Sequence, residues 1–411
     1  DRGAEFAPLR TYMISKLMWN PYADADAIMD EFLRLYYREA APYIKEYIDL
    51  LTDRVNRDDV VMGFADEGRW MDSEMVRKSE DIFARAFDVI ESQEVRDRVN
   101  VVYATVQYSA LKCPPDVTIE GGTIRVVRPP APVLEDYIAS LRSYGVQNVV
   151  DYFPFEEFYR QMPVAPPREK ESTLETIEND HFLIWVAPGL SGSVIRWRDK
   201  DRGIELLRGY EKYDSIPGTW EDWVSTPGIA EHPVTDKYTV IERTPTSLTI
   251  EGALDNGLVI RRKMSLADDT PGVHLTLSCI NTGDQPITLN LKTHPEFYTQ
   301  DETIPEIWGE RKGKWELITD DVMPDETARG LLFEPNGITR WAARLPKAKL
   351  TIVNDFDPEE VDMLLYFFSV NEHALHVNLE LVMANRVLAP GDEHSFDATY
   401  WLTKKKPQKL D

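Results

Sequence analysis

An alternation of apolar and polar residues with a period of two constrains this chain most, and it runs from about Asp180 to the end. Two segments, Ile287–Glu296 and Leu375–Leu381, show it most strictly. Their polar positions are Thr288, Asn290, Lys292, His294, His376, Asn378 and Glu380. Because successive side chains of a strand point to opposite faces, each segment has one apolar and one polar face. Turn sequences such as Asp255-Asn256-Gly257 separate the alternating runs, so we predict a large antiparallel β-sandwich.

The N-terminal part has a different period. Between residues 1 and 112, apolar residues recur every three or four positions, as in the pair Met13 and Leu17. One such run starts after Asp24, and Asp72 or Ser73 is a candidate N-cap for another helix. The pattern predicts a helical domain.

Two shorter segments lie between these regions. Apolar runs flank Gly121-Gly122 and predict a hairpin, and a helix is expected to end near Gly145. A proline-rich, charged stretch follows and is the best candidate for a linker. The sequence thus predicts a helical domain at 1–112, a small α/β insert at 113–162, a linker at 163–179 and a β-supersandwich at 180–411.

Composition limits the partners of this chain. Its 411 residues carry 46 basic and 71 acidic side chains, for a formal charge of −25. Such a surface repels phosphate backbones and anionic lipids, so we expect neither nucleic acid nor a membrane as the main partner. No apolar run approaches the ~18 residues that a membrane helix needs.

The two cysteines, Cys113 and Cys279, are far apart and form no CxxC or Cys/His group. We therefore predict buried free thiols and neither a metal site nor a cofactor. The chain starts without an initiator Met or a signal peptide, which we interpret as the C-terminal piece of a larger protein. The sequence does not determine the compartment, and it is compatible with secretion or with a periplasmic location.

The polar strand faces supply candidate site residues. His294 and Glu380 are groups that move protons, and their neighbours can bond sugar hydroxyls. Those neighbours are Lys292, Asn290, His376 and Asn378. Trp220 and Trp223 flank two carboxylates after Pro217-Gly218, where indole rings in a loop could stack on a pyranose. The alternatives are a solvated sheet face with a structural hydrogen-bond ladder, and tryptophans that belong to the core.

Two resemblances to known families add to this interpretation. The run Glu5–Tyr37, followed by Ala40–Ile44, is similar to a bacterial family of glycoside-hydrolase-like proteins. That family is catalogued as a domain of unknown function and is distantly like α-glucuronidases. The resemblance implies an upstream (β/α)8 barrel as a partner domain, which would carry the catalytic carboxylates and is absent from this chain.

The β region resembles the galactose-mutarotase-like supersandwich. The segments that carry the likeness are Ala187–Leu206, Ile280–Phe297, Val377–Glu380, Leu388–Glu393 and Tyr400. The resemblance implies that His294 is a general acid and Glu380 a general base. The chain departs from that family in lacking an early Asn-Gly-x-His-Gly-Gly loop, and Glu296 replaces the aromatic residue after His-Pro.

Three functions stay open at this point. The first is the C-terminal region of a carbohydrate-active protein associated with glycoside hydrolysis, whose supersandwich binds or braces a saccharide or polysaccharide. The second is a sugar mutarotase or epimerase that uses His294 and Glu380. The third is a non-catalytic structural module.

Overall fold

The computed structural model groups the chain into two compact units. We call residues 1–116 and 127–169 the helical unit, and residues 117–126 and 170–411 the β-unit. The structure describes residues 6–57, 71–113, 115–129, 131–145, 148–150, 153–154, 169–211, 218–224, 232–233, 238–267, 272–289, 291–318, 327–371 and 374–410.

The helical unit forms the helices that its apolar spacing predicts. They are α1 (Ala7–Trp19), α2 (Ala25–Tyr36), α3 (Ala41–Arg57), α4 (Ser73–Val89), α5 (Gln93–Lys112) and α6 (Leu134–Ser143), with a short 3₁₀ helix at Arg38–Ala40. Asp24 caps α2 by accepting the backbone N–H groups of Asp26 and Ala27, and Asp72 caps α4 through Met75. Each cap satisfies donors that the first helical turn leaves without partners.

Apolar side chains on the facing sides of these helices form one core, which includes Phe32, Ile44, Phe83 and Val99. A smaller cluster joins α6 to Ala104 of α5. No helix among the described residues is both long and apolar enough to cross a membrane.

The predicted hairpin forms as β1 (Asp116–Glu120) and β2 (Thr123–Val127), and two short strands, β3 (Asn148–Val150) and β4 (Phe153–Pro154), pair with each other. The hairpin joins β5 (Glu169–Thr173) in a small sheet and so belongs mostly to the β-unit. The segment expected to be a linker also contains β6 (Glu175–Glu178). The prediction was wrong for residues 169–178, because edge strands with one exposed face look polar in sequence.

The β-unit contains the long series of strands that the alternation predicts. They are β7 (Phe182–Ala187), β8 (Ser193–Asp199), β9 (Ile204–Leu207), β10 (Trp220–Val224), β11 (His232–Pro233), β12 (Thr239–Arg243), β13 (Ser247–Ala253), β14 (Leu258–Leu266), β15 (Gly272–Asn281), β16 (Ile287–Leu289), β17 (Leu291–Tyr298), β18 (Glu306–Arg311), β19 (Lys314–Leu317), β20 (Ala328–Phe333), β21 (Ile338–Leu345), β22 (Leu350–Phe356), β23 (Val361–Asn371), β24 (Ala374–Met383), β25 (Arg386–Leu388) and β26 (Glu393–Thr403). A 3₁₀ helix follows at Pro407–Lys409.

Two large antiparallel sheets account for most of these strands. Among the described residues, a ten-stranded sheet has the order β20-β23-β24-β17-β10-β8-β7-β6, with β11 on β10 and β9 on β8. A nine-stranded sheet has the order β12-β13-β14-β15-β26-β22-β21-β18-β19. The expected fold class, helices followed by a large antiparallel β-supersandwich, is confirmed.

The apolar faces of the two sheets pack against each other. Trp220 of β10 contacts Tyr400 of β26 with 4.8 Å between ring centroids, and Phe297 of β17 packs on the same tyrosine. The two segments that opened the sequence argument supply core residues, since Val377, Leu379 and other residues of β24 are fully buried here. We call this side of the ten-stranded sheet its inner face and the opposite side its outer face. Both cysteines are buried free thiols, as predicted.

Candidate functional site

Three adjacent strands of the ten-stranded sheet bring polar side chains together on the outer face. On β10 and β17, Glu221 is the register partner of His294, and Trp223 is the partner of Lys292. On β17 and β24, Glu296 is the partner of Asn378. Since register partners share a face, one group forms, which we call the outer polar cluster. Its members are Glu221, Trp223, Lys292, His294, Glu296, His376, Asn378 and Glu380.

Glu380 lies at the centre of this cluster and is 2% exposed. Its Oε1 lies 3.2 Å from Nε2 of His294, and its Oε2 lies 3.0 Å from Nζ of Lys292. The Nδ2 group of Asn378 donates a hydrogen bond of 3.0 Å to Oε1. A buried carboxylate needs such partners, because burying a charge without them is costly.

Aromatic rings line the cluster. The indole of Trp223 lies 4.8 Å from the imidazole of His294, and the ammonium of Lys292 lies 5.2 Å from the Trp223 ring centroid. On the other side, the Phe367 ring lies 5.2 Å from the His376 imidazole. Flat apolar surfaces beside hydrogen-bonding groups are typical of small-molecule sites.

Several polar atoms of the cluster are buried without a hydrogen-bond partner among the described residues. They are both ring nitrogens of His376, Oδ1 of Asn378 and Nε1 of Trp223. His376 is only 1% exposed, and burial lowers its pKa to about 4, with a smaller contribution from His294, so its imidazole is neutral at pH 7. An orphaned buried donor or acceptor costs about 1–3 kcal/mol, so these atoms reduce stability unless a ligand or water bonds them.

Two further carboxyl groups belong to the cluster, and neither was among the predicted site residues. The Oγ of Ser193 donates to Glu221 at 2.5 Å. Burial, together with the nearby carboxylates of Glu221 and Glu380, raises the pKa of Glu296 to about 8. The period-two pattern from His294 could have found Glu296, which lies two positions further along β17.

The structure brings most, but not all, of the predicted site residues together. It brings His294, Glu380, Lys292, His376, Asn378 and Trp223 together in the outer polar cluster. Asn290 lies outside the described residues. A solvated polar face on β17 and β24 was one of the alternatives, but most polar side chains of this cluster are buried.

Trp220 requires a correction. Its segment is not a loop but the strand β10, so residues three positions apart point to opposite faces. Trp220 is 1% exposed on the inner face, where its indole N–H donates to Oγ1 of Thr293 at 2.6 Å. It therefore belongs to the core and not to the outer polar cluster.

The cluster has the chemistry of a hydrogen-bonding site. Within the described residues, no three or more His, Cys, Asp and Glu side chains are grouped so that they could hold a metal ion. What the cluster offers is carboxylate acceptors, ammonium and amide donors, and imidazoles that can do either.

Comparisons with known proteins give the following similarities. A family model described as Domain of unknown function (DUF4838) matches residues 1–49. No curated protein sequence matches this chain.

Several solved structures are similar to this chain in fold. The Slr1438 protein from Synechocystis sp. PCC 6803 is 14% identical over 57% of this chain and 96% of that protein, with a TM-score of 0.47. A galactose mutarotase-like protein from Lactobacillus casei is 11% identical over 56% of this chain and 100% of its own, with a TM-score of 0.43. A GalM/aldose epimerase homologue from C. elegans is 13% identical over 56% of this chain and 99% of its own, with a TM-score of 0.41.

Proposed function

We propose that the β-unit binds a saccharide at the outer polar cluster. The observation that carries the proposal is the set of buried polar atoms on His376, Asn378 and Trp223 that have no hydrogen-bond partner within the part of the chain that the structure describes. A sugar ring supplies many hydroxyl groups, each of which donates and accepts hydrogen bonds, and it has apolar faces that can lie on an indole. These are the two properties that the cluster can satisfy.

The side chains of the cluster support the same ligand class. Trp223 is partly exposed and supplies an aromatic surface. Nζ of Lys292 lies 3.0 Å from Oε2 of Glu380. Because this pair is already neutralised, the cluster suits a neutral polar ligand better than a strongly charged one.

Calorimetric titration of the intact chain with a broad panel of mono- and oligosaccharides tests the proposal. We expect at least one saccharide to bind, and we expect Trp223→Ala and Asn378→Ala each to weaken it about tenfold or more, which corresponds to 1.4 kcal/mol. Trp315→Ala is the matched control, because this partly buried indole lies on β19 of the other sheet. A panel without any binder, or equal losses in the control, would contradict the proposal.

A second candidate function is sugar mutarotation or epimerisation, and the 3.2 Å contact between His294 and Glu380 favours it. In such a reaction Glu380 would take the proton of the anomeric hydroxyl while His294 protonates the ring oxygen. Anomer exchange followed by NMR, with His294→Ala/Glu380→Ala as the comparison, tests it. A rate equal to the uncatalysed exchange removes this candidate and leaves binding untouched.

The finer proposal is that this binding belongs to a carbohydrate-active protein associated with glycoside hydrolysis. It rests on the resemblance of residues 1–112 and on the upstream barrel that the resemblance implies. Hydrolysis of aryl glycosides by a protein that joins this chain to such a barrel would support the association. A barrel-containing protein that binds the same saccharide but hydrolyses none of the panel would contradict it, and the β-unit would then be a bracing or binding module only.

A further inference from the structure

A cavity of about 630 Å³ lies at one end of the ten-stranded sheet, where β20 ends, β23 begins and β24 ends. Its lining consists of residues 334–337, 358, 361–363, 382 and 385. We call it the end cavity. Its volume falls in the range of roughly 300–1,000 Å³ that is typical of small-molecule sites.

The end cavity continues the outer face that carries the outer polar cluster. Lys292 of β17 is the register partner of Val382 on β24, and Val382 is the register partner of Met363 on β23. Because register partners share a face, Val382 and Met363 lie on the same side of the sheet as Lys292. Val382 is two positions from Glu380, which is about 7 Å along a strand. A ligand bound at Glu380 therefore reaches the end cavity if it extends by about the length of one sugar ring.

The end cavity combines apolar and polar surfaces in the way that a sugar requires. Met363 and Val382 are half-buried apolar side chains. Glu334, Asn336 and Asn385 are exposed beside them and supply a carboxylate and two amides. A pyranose ring has apolar faces and a rim of hydroxyl groups, so it can contact both kinds of surface at once.

Two local features fix the polar groups of the end cavity. A β-bulge at the start of β23 leaves Asp362 out of the strand register. The backbone N–H and the Nδ2 group of Asn385 donate to Oδ2 of Asp362 at 2.9 and 3.1 Å. Asn336 and Gly337 have φ angles of 48° and 81°, and two successive positive angles are typical of a tight turn. Groups that are held in place before binding lose less freedom when a ligand arrives.

We propose that the end cavity is a second sugar subsite and that the ligand of the β-unit is a neutral oligosaccharide, which runs from the outer polar cluster past Val382 to Asn385. This inference rests on the proposed function and names its substrate class. Among the described residues, the charged side chains that line the end cavity are Glu334 and Asp362. Their carboxylates accept hydrogen bonds from hydroxyl groups and repel the carboxylate of an acidic sugar.

Calorimetry with sugars of increasing length tests the second subsite. The probes are cello-, malto-, xylo- and galacto-oligosaccharides of one to five units, each titrated into the intact chain. In a series whose monosaccharide binds, we expect the affinity to rise about tenfold between one and three units, because the added units occupy the end cavity.

A variant that blocks the end cavity gives the sharper test. Asn385→Trp adds a bulky side chain at an exposed position of the lining, so it should remove the gain with length and leave the monosaccharide affinity within about twofold of native. Lys347→Trp is the matched control, because it adds the same side chain to an exposed turn of the nine-stranded sheet. A gain with length that persists in Asn385→Trp would overturn the inference, since the longer sugar would then leave the cluster in another direction.

NMR of labelled methionine methyl groups locates the longer sugar directly. With the Met363 signal assigned through Met363→Leu, we expect the trisaccharide to shift this signal and the monosaccharide to leave it in place. Met264 is the internal control, because it lies on β14 and is buried in the core. A trisaccharide that binds without shifting the Met363 signal would refute the second subsite.

The outcomes separate the two proposals. If no sugar of any length binds, the proposed function fails and the second subsite fails with it. If a monosaccharide binds and longer chains bind no better, binding at the outer polar cluster stands and only the inference fails. Tighter binding of oligogalacturonates than of every neutral series would contradict the neutral substrate class.

Discussion

Strand β10 has a buried acidic residue on each of its faces, and the two residues have different surroundings. On the inner face, Asp222 pairs with Arg262 of β14, with Oδ2 lying 2.7 Å from Nε. On the outer face, Glu221 belongs to a cluster with three carboxyl groups, one lysine and several polar atoms without described partners.

The difference separates a pair that connects the two sheets from a cluster that we propose to bind a ligand. Asp222 and Arg262 are both at most 1% exposed, carry one charge each and connect the two sheets of the sandwich. A pair of this kind costs desolvation, but its two charges compensate each other, although Oδ1 of Asp222 also has no hydrogen-bond partner among the described residues. The outer polar cluster leaves part of its hydrogen-bonding capacity unused, and that lowers stability unless a ligand completes it.

The largest loss of stability is expected from a substitution that breaks the pair of Asp222 and Arg262 on the inner face. Arg262→Met leaves Asp222 as an unpaired buried carboxylate, so we expect a loss of about 3–5 kcal/mol in the free energy of unfolding. Urea denaturation measures it. The double variant Asp222→Leu/Arg262→Met is the control, and it should recover most of the loss because both charges are gone. A single variant that loses less than about 1 kcal/mol would mean that the pair does not connect the sheets as described.

The second prediction concerns the outer face, where Glu296 makes the stability of the chain depend on pH. Because the folded-state pKa of Glu296 is raised above its ordinary value of 4.5 to about 8, its stabilising contribution is complete below pH 4.5 and is lost as pH rises through 8. The shift corresponds to a change on the order of 5 kcal/mol. Denaturation at a series of pH values should show this decline in the native chain and a flatter profile in Glu296→Gln. Parallel profiles for the two proteins would contradict it.

His376 gives a smaller effect of the opposite sign. Its folded-state pKa is lowered from 6.5 to about 4, so the native chain loses stability as pH falls from 6.5 towards 4. His376→Phe removes this loss, keeps a ring beside Phe367 and removes two buried nitrogens without described partners. We expect it to raise stability at pH 7 by about 1–3 kcal/mol and to abolish saccharide binding. A variant that is both less stable and fully able to bind would assign His376 a structural role.

Much of the fold was predictable from periodicity alone. The alternation in β24 placed Val377, Leu379 and Leu381 in the core and His376, Asn378 and Glu380 on the other face, as the structure shows. The helix cap Asp72 was equally local and equally predictable. These features depend on a few neighbouring residues.

The features that the sequence did not predict depend on residues that are far apart in the chain. Trp220 and Trp223 were interpreted together because they are close in sequence, but a strand directs them to opposite faces. A solvated polar face on β17 and β24 was an open alternative, and its burial could not be predicted from these strands, because it depends on residues far away in the chain. The same is true of the three grouped carboxyl groups, because sheet pairing brings Glu221 and Glu380 beside Glu296.

The central claim is that the outer face of the ten-stranded sheet, and not the core or the other sheet, binds a saccharide. The most direct measurement is the NMR spectrum of the tryptophan indole N–H groups during titration with a saccharide panel, with Trp223 assigned through Trp223→Phe. We expect one saccharide to shift the Trp223 signal while the signals of Trp197 and Trp220 stay in place. Shifts confined to other indoles, or none across the whole panel, would contradict the claim.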